Sequence, residues 1–159
     1  MGALVKTRTR ELATLVLAVC DGGVLIYGLV ILLRPEAMLA LGLESHTGHS
    51  WAAFASENPD RGEYFSLVAR MLGAYNMAVG ILALGVIFGP FRRGDAWAWW
   101  TLALANGLAF GVPVAADLYV GSIGFFEVIE LGMAPLVVLA LAVTARQAVS
   151  GPGVSVGGP

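Results

Sequence analysis

Charged side chains are rare in this chain, and several of them, with two uncharged asparagines, lie inside long apolar runs where they could only do chemistry or pair with one another. Asp21 interrupts the first run, Arg70 and Asn76 the second, Asn106 the third, and Glu127 and Glu130 the fourth, with Asp117 at the edge of the third. Ionisable groups at membrane depth are costly and tend to face a bundle interior, where they pair or act on a substrate. One guanidinium satisfies one carboxylate bidentately, or two at most. A bundle that gathers Asp21, Asp117, Glu127 and Glu130 around Arg70 therefore leaves a carboxyl without a cation. A protonated carboxylic acid beside an ionised one is what general acid/base work requires. The bland counterpart is an ion-pair network that fixes helix register.

The runs that must position these groups are Leu12–Leu33, Phe65–Phe88, Trp97–Ala116 and Phe125–Val143. Each approaches the ~20 residues a helix needs to cross the hydrocarbon core. Lipid offers the backbone no hydrogen bonds, so the spans must be helices. The composition agrees: 58% of the 159 residues are hydrophobic and 13% charged, against about 25% charged in soluble domains. The expected fold is all-α, an integral membrane four-helix bundle with a structured first extracytoplasmic loop. Residues 1–11 form an N-terminal segment, 12–146 the membrane domain with its outer loop at 34–63, and the Gly/Pro-rich 147–159 a disordered tail. The first run is too long for a cleavable signal peptide and lacks a clean cleavage site.

Lys6, Arg8, Arg10, Arg92, Arg93 and Arg146 fall on one side if both termini are cytoplasmic, the orientation the positive-inside rule favours in a bacterial-type plasma membrane. Trp97, Trp99 and Trp100 suit an aromatic belt on that side. Across the membrane, the 34–63 loop is long enough to have structure of its own. Pro35 suits the first turn of a helix, Trp51 and Phe54 suit interfacial anchors, and the whole is expected to cap the outer mouth.

Depth follows from a rise of ~1.5 Å per residue, which puts Arg70 and Glu130 ~8 Å, Glu127 ~3 Å and Asp21 ~18 Å below the outer edge. At 100° per residue, Asn106, Pro113 and Asp117 share a face within about 40°, and Glu127 and Glu130 share another. The expected site is thus a polar pocket in the outer half of the bundle. Glu127, Glu130, Asp21 and Asp117 would be catalytic there, with Arg70, Asn76, Asn106 and Tyr75 orienting substrate. Tyr27 is a second candidate hydrogen-bond donor. Pro113 is expected to kink its span.

Other chemistry finds little support. Cys20 is the only cysteine, which excludes an internal disulfide and CxxC sites; it suits a small buried residue. His46 and His49 in "HTGH" have helical spacing for a metal, but with no further Cys or His to complete a site they fit exposed loop histidines better. No metal or cofactor is expected, and no basic run suits nucleic acid. Ala103, Gly107 and Gly111 form a small-residue ridge able to pack helices within a chain or between two copies in a homodimer.

"RPEAMLALGL", "ARMLGAYNMAVGILAL" with Arg70, Gly73 and Gly80, the basic turn "FRRGD" and the Asn106-to-Asp117 stretch together resemble the small four-helix DoxX-like membrane proteins. That resemblance covers most of Leu12–Val143. It implies a four-helix membrane fold and, for some members, a non-catalytic subunit of a quinone-linked redox complex. The acidic outer loop and "FFEVIEL" depart from the family pattern. The residues themselves point first to a membrane-embedded enzyme acting by carboxylate acid/base chemistry on a lipid-soluble small molecule. Isomerisation, epoxide opening or cyclisation of an isoprenoid-like substrate would each fit. A proton-coupled carrier is the third option, and four spans would require it to be a dimer.

Overall fold

A computed structural model describes residues 2–121 and 124–149, with side chains for 7–121, 124 and 126–145. Its elements are α1 (Gly2–Leu33), α2 (Pro35–Thr47), α3 (Trp51–Glu57), α4 (Pro59–Val86), a π-helical turn (Ile87–Phe91), α5 (Ala96–Val120) and α6 (Phe125–Val149), with no strand among the described residues. Four helical segments are long and apolar enough to cross a membrane: Thr7–Leu33, Pro59–Phe91, Ala96–Val120 and Phe126–Ala145. The fold is an all-α four-helix membrane bundle. The helix of the fourth span extends to Val149, so the first three residues expected in the tail are helical; residues 150–159 lie outside the described residues, as do 122 and 123 of the turn before α6.

The tightest seam joins α1 to α4. A Cβ built on Gly28 would lie 2.7 Å from the Gly73 carbonyl oxygen and the Met77 nitrogen, one on Gly73 2.6 Å from the Leu32 nitrogen, and one on Gly80 2.8 Å from Leu25 Cβ. Backbones that approach this closely admit only glycine, and dispersion between them replaces the hydrophobic drive that lipid cannot supply. Within the chain, no helix among the described residues packs along the Ala103, Gly107 and Gly111 ridge. Ala103 packs partly against the core, but Gly107 and Gly111 face outward with nothing within 4 Å of a Cβ. Helix α6 packs on both α1 and α5, whereas α5 touches α4 little and meets the π turn instead. Leu17, Ile87 and Leu102 are fully buried at the centre.

Pro90 explains the π turn. It has no N–H to donate, and its ring crowds the preceding turn, so the helix widens there. The chain then reverses at Gly94, whose φ of +88° is costly for any other residue. Helix α5, by contrast, runs unbroken from Ala96 to Val120 with Pro113 inside it.

The 34–63 loop is built of α2, α3 and the start of α4. Helix α2 begins with Pro35 as its first residue and packs on α1, α4 and α6. Trp51 is buried, tilted against Phe54 at 5.6 Å and edge-on to Phe65 at 6.5 Å. It anchors α3 to α4 and does not sit free at an interface. Of the three tryptophans at the start of α5, Trp99 is half-buried and donates from Nε1 to the Leu141 carbonyl at 2.9 Å, while Trp97 and Trp100 are exposed.

Candidate functional site

The residues expected to form one pocket occupy three places. The richest lies where α2, α5 and α6 meet. Gly124 precedes α6 and accepts from the Val128 N–H, and Glu127 Oε2 reaches back to accept from the Gly124 N–H at 2.8 Å. This is the carboxylate half of a capping box, favoured also by the dipole of α6. The cap fixes the side chain, which is 5% exposed, and leaves Oε1 free. Oε1 faces His46 Nε2 at 3.3 Å. Asp117, one turn before the end of α5, completes a set in which one atom each of His46, Asp117 and Glu127 lie within 4.8 Å of one another. Glu130 is one turn further along α6, within electrostatic reach of Asp117 and Glu127. Tyr27 of α1 is in turn within reach of both glutamates, and its ring lies 5.6 Å from that of Phe126.

His46 is the residue sequence reasoning missed. It is no free loop histidine: α2 folds back on α6, and the acids that complete its surroundings come from 71 and 81 residues away (117 − 46 and 127 − 46). Its Nδ1 lies 2.9 Å from the Gly42 carbonyl, which Ser45 Oγ also approaches at 3.0 Å. A carbonyl only accepts, so Nδ1 carries the hydrogen and Nε2 is turned to the carboxylates. Ser45 is packed so closely that a Cβ on Gly124 would lie 2.8 Å from it and 2.7 Å from Glu127 Oε2. We expect Gly124→Val to loosen α2 from α6, which faster proteolysis in the 34–63 segment would register.

The second place is the bundle centre. Asp21 and Asn106 are both buried and reach each other from diagonally opposed helices. Asn106 Nδ2 donates to the Leu102 carbonyl at 3.1 Å, while Asn106 Oδ1 and Asp21 Oδ2 have no hydrogen-bond partner among the described residues. Asp21 is six residues, or ~9 Å of helix, from Tyr27 and so stands apart from the first cluster. Asn106 and Asp117 share the inward face of α5, but they serve different clusters.

Arg70 occupies the third. It joins no carboxylate: among the described residues the carboxylates in ion-pair distance of a basic side chain are Glu127, beside His46, and Asp95, beside Arg93. Instead, Nη1 donates to the Leu32 carbonyl at 3.0 Å. The last carbonyls of a helix lack intrahelical donors, and Leu32 is the next-to-last residue of α1. Arg70 therefore caps α1 across the glycine seam, with its charge at the negative end of the helix dipole. It borders a cleft of about 690 Å³ with Glu36, Trp51 and Glu63. That cleft lies at the start of α2, ~15 Å of helix from His46. The other orienting candidates on α4 are also remote from the acids: Tyr75 is 65% exposed on the outer surface, and Asn76 sits on the α1 seam beside Gly28. Arg70→Met should lower stability by about 1.5–3 kcal/mol, the worth of a charge-assisted bond, as a shift in the unfolding midpoint in detergent.

The class so defined is an integral membrane four-helix bundle with a histidine–carboxylate cluster at one end. No family model, curated protein or solved structure matches the chain.

Proposed function

We propose that the protein is a membrane-embedded enzyme that transfers protons at the polar end of a lipid-soluble small molecule. The observation that supports this best is the convergence of His46, Asp117, Glu127 and Glu130 from α2, α5 and α6 at one end of an apolar bundle. Glu127 is held by its cap and by His46, which leaves Glu130 as the carboxylate free to take a proton. Tyr27 is the hydroxyl beside it that can give one. An apolar body would lie among the helices while its reacting end meets these groups, as in isomerisation, epoxide opening or cyclisation. Arg70 has no part in this chemistry. With both termini cytoplasmic, the cluster faces the outer side of a bacterial-type plasma membrane.

The test compares lipid-soluble extracts of cells producing the wild type, Glu130→Gln or Arg70→Met by mass spectrometry. The wild type and Arg70→Met should each deplete one compound in favour of an isomer or hydrate. Glu130→Gln should cut that conversion about 100-fold, the usual worth of a positioned acid or base. Identical wild-type and Glu130→Gln extracts would overturn the proposal.

A further inference from the structure

We infer that His46, Asp117 and Glu127 bind a divalent first-row metal ion. Two independent observations carry this. The first is the lone pair on His46. Because Nδ1 gives its hydrogen to Gly42, a neutral ring turns a bare Nε2 toward Glu127 Oε1 at 3.3 Å. Two lone pairs at that distance repel, and a positive centre, either a proton on Nε2 or a metal ion between the two atoms, turns the repulsion into attraction. The second is charge. Asp117, Glu127 and Glu130 lie together, and no Lys or Arg ion-pairs with any of them among the described residues. A lipid-surrounded cluster of this sign is stabilised by a bound cation.

The donors suit such an ion. Ligand atoms ~2.1 Å from a tetrahedral zinc are about 3.4 Å apart, close to the His46–Glu127 separation. Imidazole with carboxylates favours zinc, manganese or iron over calcium, which takes oxygen alone. The outer contacts are also of the right kind. Gly42 holds the far nitrogen of the imidazole, and Gly124 the far oxygen of Glu127, the orienting bonds that metal ligands usually receive.

This inference uses the same cluster as the proposed function, but its test reads no turnover. The full chain, purified in detergent and stripped with chelator, is titrated with Co²⁺ by visible absorbance and with Zn²⁺ by calorimetry. Saturable binding of about one ion per chain is expected. His46→Ala should weaken it at least tenfold, a change at an exposed side chain that leaves the fold intact. Glu127→Gln, which keeps an oxygen for the α6 cap, should do the same, and His49→Ala should leave it unchanged. Absence of saturable binding, binding untouched by His46→Ala or Glu127→Gln, or equal loss in His49→Ala would each overturn the inference. A failure of the proton-transfer proposal would appear instead as an inert Glu130→Gln substitution with the metal titration intact.

Discussion

A Gly73→Leu protein will fail to assemble its bundle. The first atom of the new side chain already lies 2.6 Å from the Leu32 nitrogen and 2.7 Å from the Gly28 carbonyl. Both belong to backbone, so no rotamer change relieves the clash and α1 must move off α4. Ordinary overpacking of a core costs about 1–3 kcal/mol, and a backbone collision along the tightest seam of the molecule exceeds that range. The bundle would also lose the bond from Arg70 to Leu32, which depends on the same approach. Loss of the monodisperse peak in detergent, or a midpoint too low to measure, is the expected result. Gly107→Leu is the matched control. It adds a side chain to an open outward face and should shift the midpoint by less than about 1 kcal/mol. Equal tolerance of both substitutions would show that the α1–α4 seam does not have this geometry.

Glu127→Ala should be the most damaging change at the candidate site. It removes the acceptor from the Gly124 N–H, leaves His46 without its partner and empties a buried position. Loss of the helix cap costs about 1 kcal/mol, and truncating a buried side chain of this size adds about 2 kcal/mol for the cavity left behind. A total near 3 kcal/mol is expected in chemical unfolding. Glu127→Gln retains an oxygen for the cap and should recover more than half of that. Cap and charge are thereby separated: stability follows the oxygen, whereas metal binding follows the negative charge.

Four spans were legible in the sequence because length and apolar content alone decide them. The inward face of α5 was legible too. Asn106 and Asp117 are polar marks on an apolar helix, and 100° per residue links them through Pro113. The rotation of α4 was not. In lipid both faces of a span are apolar, so no hydrophobic contrast says which way Arg70 turns. Depth put it level with Glu130, and only the close approach of α1 gave it a carbonyl instead. The seam had a visible signal in Gly73 and Gly80, seven residues apart and so on one face of α4, but the four-residue spacing of the α5 ridge was the stronger pattern and pointed elsewhere. His46 could not be placed from sequence. Its role depends on α2 folding back over α6, and nothing local to "HTGH" specifies two carboxylates from distant spans.

The unequal packing around the bundle also bears on how any hydrophobic solute reaches the interior. The α1–α4 wall is closed by backbone contact, while α4 and α5 are joined mainly through the π turn at one end. The α4–α5 flank is therefore the loosest side of the bundle, and the α1–α4 flank next to it is the tightest. A solute entering by the looser flank diffuses in two dimensions, and its effective concentration is its mole fraction in the surrounding lipid. Occupancy would then fall when inert lipid or detergent is added at constant total solute, a surface-dilution behaviour that sets this bundle apart from any protein fed through water.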